Sequence, residues 1–157
     1  MVARPRRLLI GLAEYVDLPD WRVLRLRAKV DTGARSSALH VDNLRELPRD
    51  RVRFDVRLHR RHPERTVTVE AKVTRRTRVR STSGVSELRI FVETRIRVGS
   101  TTFTAELGLV DRQRMIYRML LGRTALGARF YVDASRRYLL GRVAGPATVS
   151  ALRRSAP

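Results

Sequence analysis

The chain has 157 residues, no cysteine, and 34 basic against 15 acidic residues, a formal net charge of +19. That length suits one domain whose core folds without covalent staples, and the missing thiols exclude disulfides, zinc–thiolate centres and cysteine nucleophiles. Such a field gathers polyanions; nucleic acid is one candidate partner, and acidic peptide is another, because only Lys29 and Lys72 are lysines and the guanidinium fork grips carboxylates bidentately.

Residues 1–7 and 143–157 are rich in Arg, Pro, Ala and Ser without apolar periodicity, so they are expected to be mobile tails on a domain at 8–142. Leu8 to Ala13 is too short for a signal core, and the acidic Glu14 and Asp17 come directly after it. Neither a secretion signal nor a membrane span is expected, and a cytoplasmic location is the default.

Beyond this the pattern has period two. VLRLRAKV, Val23 to Val30, places Leu24, Leu26, Ala28 and Val30 on one face. RVRFDVRLH repeats the device with Val52, Phe54, Val56 and Leu58, and RTVTVEAKV with Val67, Val69, Ala71 and Val73. ELRIFVETRIRV and TTFTAELGLV continue in β-branched and aromatic residues. Hairpin turns are predicted at Ser81–Gly84 and Val98–Thr101, and loops at Pro48 and Pro63. GRTALGARF departs from the alternation: Leu126 and Phe130, four apart, predict a short helix near 123–129. YVDASRRYLLG reads as two short strands around a turn at Asp133–Arg136. The fold class is all-β with one short helix.

The strand at Val23–Val30 runs into Asp31, then Thr32, Gly33 and Ala34. Taken alone, Asp before Gly suits a side-chain-capped turn. It also suits acid–base chemistry if a second carboxylate comes within hydrogen-bond reach. Two such groups cannot both ionise, so they share a proton; one activates water while the other protonates a carbonyl oxygen. Gly33 lets backbone and water approach closely, and Ser36 and Ser37 are candidates to orient the carboxylate. Only one D-T-G is present, and Asp111 and Asp133 stand in other contexts, so the simplest source of an equivalent partner is a second copy about a two-fold axis.

Other chemistries fit less well. His40 reads as a packed histidine near the site. His59 and His62 have suitable spacing for a metal, but Pro63 and flanking arginines oppose a cation and no H-E-x-x-H is present. No metal or other cofactor is expected. Ser36 and Ser37 lack the G-x-S-x-G context of a nucleophile. From Arg49 to Arg80 the only aromatic among the basic residues is Phe54, which makes stacked nucleic acid the second choice of partner; a non-enzymatic polyanion-binding module is the corresponding alternative function.

VDTGA, followed later by MLLGR, resembles the signature of retropepsin-like aspartic peptidases. KVDTGARSSALH, RVRSTSGVSELR, LVDRQRMIYRMLLGR and VDASRRYLL, in this order, resemble more closely a bacterial family formerly labelled ATP-dependent zinc proteases, now described as retropepsin-like and associated with ATP-grasp glutamate ligases of the RimK type. The resemblance spans Ile10 to about Leu140. It implies a closed-barrel-like retropepsin fold, a homodimer, and an aspartic endopeptidase with Asp31 catalytic and Thr32, Gly33 and Ala34 shaping its turn. Leu120, Leu121 and Gly122 would lie on the strand crossing beneath. The segment Val79 to Gly84 would belong to a flap whose Arg76, Arg78, Arg80 and Ser81 contact substrate, with Arg75 nearby. The association implies glutamate-rich or poly-glutamate peptide as substrate and a functional link to a glutamate ligase, or else a ligase-associated regulator retaining the fold. Gly122–Thr124 reads Gly-Arg-Thr where the viral pattern has Gly-Arg-Asp.

Overall fold

The alternating segments form strands, and the turn residues separate them. The computed structural model describes residues 6–59, 61–80, 83–111, 113–114, 116–141 and 148–149. Its strands are β1 (Leu8–Gly11), β2 (Ala13–Leu18), β3 (Val23–Val30), β4 (Ser37–His40), β5 (Asp42–Leu47), β6 (Arg51–Arg57), β7 (Thr66–Arg80), β8 (Ser86–Val98), β9 (Thr101–Val110), β10 (Met119–Leu121), β11 (Phe130–Asp133) and β12 (Thr148–Val149). One helix, α1 (Arg123–Leu126), lies within the predicted 123–129, and a 3-10 turn spans Pro19–Trp21.

Hydrogen-bonded neighbours run β3-β10-β4-β9-β8, and β2 pairs with both β3 and β8, which closes a six-strand barrel. β7 belongs to two surfaces. Its first half pairs with β6, which carries β5, and its second half forms a long hairpin with β8. β1 and β11 make a separate parallel pair. Alternation sends Leu26, Ala28, Val30, Leu39, Ile90, Val92, Leu107, Leu109, Met119 and Leu121 inward into one core. Val52, Phe54 and Val56 of β6 join it, and Trp21 meets the Phe54 ring edge-on at 5.4 Å. Among the described residues no helix is long and apolar enough to cross a membrane.

Three details differ from the alternation as read from sequence. In β3 the register against β2 shifts, with Val16 opposite Leu26 but Leu18 opposite Val23. Arg25 takes φ 60, its N–H held by Asp17 Oδ1 at 2.8 Å, and this bulge buries Val23 in place of Leu24. YVDASRRYLLG supplies one strand and not two: after β11 the Asp133 carboxylate caps a turn by accepting from Ser135 N–H at 2.9 Å, and the chain continues irregularly to Gly141. The irregular course is fixed by Glu14, which is fully buried; its Oε1 accepts from the backbone N–H of Gly11 (3.0 Å) and Leu139 (2.9 Å). Within the segment expected to be a C-terminal tail, Thr148 and Val149 pair with Leu24 and Val23. The ends at 1–5 and 150–157 lie outside the described residues.

Candidate active site

Asp31 comes directly after β3, and β10 fixes its position. β10 is wedged between β3, to which it runs parallel, and β4, to which it runs antiparallel. Leu121 is in register with Val30, and the Asp31 N–H donates to Leu121 C=O at 2.9 Å. The half-buried Asp31 side chain then turns back on its own loop: Oδ1 accepts from Gly33 N–H at 3.0 Å and Ala34 N–H at 3.2 Å. This is the capped turn expected of Asp before Gly. It engages only one oxygen; among the described residues Oδ2 receives no hydrogen bond. The turn interpretation and the catalytic one are therefore compatible, the first orienting what the second would use.

The loop Thr32–Ser36 is tied to the turn after β10 from both sides. Arg123 N–H donates to Ala34 C=O (2.8 Å) and Thr124 N–H to Arg35 C=O (3.0 Å). The Arg123 guanidinium reaches Thr32 C=O at 3.2 Å and Gly33 C=O at 2.9 Å. In the other direction, the buried Ser37 Oγ accepts from Gly122 N–H at 3.0 Å. Ser37 thus supports the crossing strand, and the half-buried Ser36 contributes its backbone: a Cβ on Gly122 would lie 2.5 Å from Ser36 O. Gly122 is where two backbones touch.

Arg123 is a functional residue that the sequence patterns do not single out, although its place in Leu-Leu-Gly-Arg is the available signal. We expect Arg123→Gln to lower kcat about tenfold with KM little changed and stability reduced by about 1 kcal/mol. Arg123→Lys should recover part of the rate. A steady-state kcat and KM comparison alongside urea unfolding checks this positioning role.

Beside the loop lies a cleft of about 530 Å³ lined by Arg35, Ser36, Arg75, Glu93, Glu106 and Thr124 among others. Arg75 is fully engaged there, with its guanidinium on Glu106 Oε1 (Nη2 at 2.7 Å) and stacked 3.9 Å above the Phe91 ring. Of the arginines expected on the flap, Arg76 reaches Glu46 (3.0 Å) and Asp50 (3.2 Å) and so braces the β7–β8 hairpin against β5 and the turn before β6. Arg78 and Arg80 are exposed and make no ion pair among the described residues. Ser81 lies outside the described residues.

The opposite end of β4 and β10 is buried and charged. His40, 1% exposed, sits 3.3 Å from Asp42 Oδ1, with Arg118 buried alongside and Arg57 on the second Asp42 oxygen at 2.9 Å. Burial holds the His40 imidazole below its ordinary range, against the opposing pull of Asp42 and Asp111 and with Arg118 and Arg57 adding to the depression. The unfolded chain therefore takes up a proton first, so the stability due to neutral His40 is present above the ordinary value of 6.5 and lost as pH falls below it. In His40→Gln this loss should shrink, read as a flatter dependence of the urea midpoint over about pH 5–8. Among the described residues no three metal-ligating side chains converge; His59 and His62 lie on an exposed loop, where His62 Nδ1 meets Glu64 at 3.0 Å.

The chain matches, over residues 9–142, the family described as RimB-like, retropepsin-like aspartic endopeptidase RimB. Among curated proteins it is 34% identical to a probable alpha-L-glutamate ligase of Parasynechococcus marenigrum, over 87% of this chain and 30% of that one. A protein of the same description from Shewanella pealeana is also 34% identical, over 86% and 30%. The chain thus spans under a third of the length of the curated relatives it matches. The crystal structure of a Legionella pneumophila protein of unknown function superposes with a TM-score of 0.70 and 27% identity, covering 85% of this chain and 98% of that one.

Proposed function

Since this chain belongs to the RimB-like family of retropepsin-like aspartic endopeptidases, we propose that it hydrolyses peptide bonds in glutamate-rich peptides, using Asp31 from each of two copies. The observation that carries the reading is the mutual lock between the Asp31–Ser36 loop and Leu121–Thr124: five backbone or side-chain bonds to carbonyls and one through Ser37 hold a carboxylate with one oxygen unengaged. A group so fixed costs little reorganisation when a reaction begins.

With the second copy's carboxylate alongside, the pair holds one proton. The ionised member takes a proton from water as the water oxygen attacks the scissile carbonyl carbon. The protonated member gives its proton to the carbonyl oxygen, and collapse of the resulting gem-diol returns a proton to the departing amine. The substrate class is supported by two features. Arginine dominates the positive charge, and carboxylates are its best bidentate partners. Relatives named as glutamate ligases contain a segment like this chain; a hydrolase acting on glutamate-rich chains would work on the polymer such ligases handle.

Incubation of purified protein with poly-glutamate and with a neutral peptide of equal length, followed by mass spectrometry, tests the reading. Cleavage of the acidic peptide that disappears in Asp31→Asn is expected. Inertness of both proteins on both peptides would overturn it.

A further inference from the structure

The barrel's outer face beside Asp31 is organised in transverse rows, because residues paired across strands project to the same side. One row runs Lys29, Leu120, Ala38, Gly108, Phe91, Arg75 across β3, β10, β4, β9, β8 and β7. Ala38 and Leu120, with Val110, form a small apolar cluster separate from the barrel core. Gly108 stands in this row as a gap. A Cβ there would lie 3.0 Å from Arg89 Cδ and 3.1 Å from Phe91 Cε1, so the stem of Arg89 lies across the backbone of β9 where another residue would present a side chain. Arg89, two positions from Phe91 on β8, emerges on this same face.

Arg89 differs from most of its neighbours in what it lacks. Arg75 is held by Glu106, Arg76 by Glu46 and Asp50, Arg95 by Asp20 and Arg97 by Asp17. Arg89 is half-buried, yet among the described residues it makes no hydrogen bond, ion pair or ring contact. A guanidinium partly withdrawn from water, with its stem packed and no counter-charge, has the desolvation already in place and its bidentate face available. From Gly108 to Leu120 are two strand spacings, about 10 Å, which extended peptide spans in about three residues. We propose that Arg89, seated on Gly108, is the specificity-determining residue that receives a side-chain carboxylate of the peptide bound at Asp31; the inference rests on the peptidase reading for its substrate.

Binding to the uncleaving Asp31→Asn protein separates the two ideas. Fluorescein-labelled hexaglutamate and hexaglutamine are titrated by anisotropy into Asp31→Asn alone and combined with Arg89→Gln, Arg89→Lys, Gly108→Ala or Arg51→Gln. Arg51, exposed on β6, controls for general loss of positive charge. Arg89→Gln is expected to weaken hexaglutamate binding about tenfold or more and leave hexaglutamine unchanged, as befits loss of one charge-assisted bidentate pair. Gly108→Ala should act in the same direction by displacing the stem, and Arg89→Lys should recover part of the affinity. Equal effects of Arg89→Gln and Arg51→Gln, or no binding of hexaglutamate at all, would overturn the inference. If wild type cleaves hexaglutamate with the same kcat/KM as Arg89→Gln, the peptidase reading stands and this inference falls. Arg89-dependent binding without cleavage by wild type upholds the inference and overturns the peptidase reading.

Discussion

Asparagine at position 31 is expected to abolish hydrolysis while leaving the fold intact, a loss of about a thousandfold or more in kcat/KM on poly-glutamate. The two halves of this expectation come from different atoms of one side chain. The oxygen that accepts from Gly33 and Ala34 N–H is present in asparagine as a carbonyl, so the turn should persist and stability should change by no more than about 1 kcal/mol. The oxygen left unengaged becomes an amide nitrogen, which neither takes a proton from water nor passes one to a carbonyl. Thermal unfolding and far-UV spectra identical to wild type, beside absent cleavage, are the expected pair of results. A large stability loss would mean that Asp31 serves the fold.

Gly122→Ala should produce the converse, a failure of structure that takes activity with it. Its added methyl would meet Ser36 O at 2.5 Å, Ser36 C at 2.6 Å and Ala34 O at 3.0 Å. All three are backbone atoms of the loop that carries Asp31, and none can rotate away as a side-chain tip would. Relief requires the loop and the crossing strand to separate, which strains the Ser37–Gly122 bond and the bonds from Arg123 and Thr124. Overpacking of this kind costs about 1–3 kcal/mol, and a shift of about 1 Å at a catalytic carboxylate costs about a hundredfold in rate. Gly33→Ala is the matched comparison, since its methyl would meet only Asp31 Oδ1, at 3.2 Å; its effect on the urea midpoint should be the smaller of the two.

Much of this architecture is legible in the chain because alternation is a strong signal wherever one face of a strand is buried. Val52, Phe54 and Val56 are fully buried as their spacing predicts, and the break in period at Gly122–Phe130 marks α1. Asp31 and the Leu-Leu-Gly-Arg segment are likewise visible as motifs, and the structure brings them into contact. What escapes is decided by pairing across the chain. Glu14 reads as an interruption of an apolar run, yet it is buried because its carboxylate serves two backbone N–H groups, one of them 125 positions away. Leu139 reads as strand for the same missing reason. Arg75 and Arg76 read as a free flap charge, but Glu106, Glu46 and Asp50 come from other parts of the sheet to meet them. The Arg89–Gly108 contact depends on the β8–β9 register, which composition does not specify.

The central claim is that two copies of Asp31 act as a unit, and mixing tests it most directly. Wild type and Asp31→Asn, unfolded together and refolded in varied ratio at constant total concentration, should combine at random, and only pairs with both carboxylates would cleave. The account predicts that activity on poly-glutamate scales with the square of the wild-type fraction, so that an equal mixture retains about a quarter of full activity. Activity falling in direct proportion to that fraction would show that each chain works alone and would contradict the account.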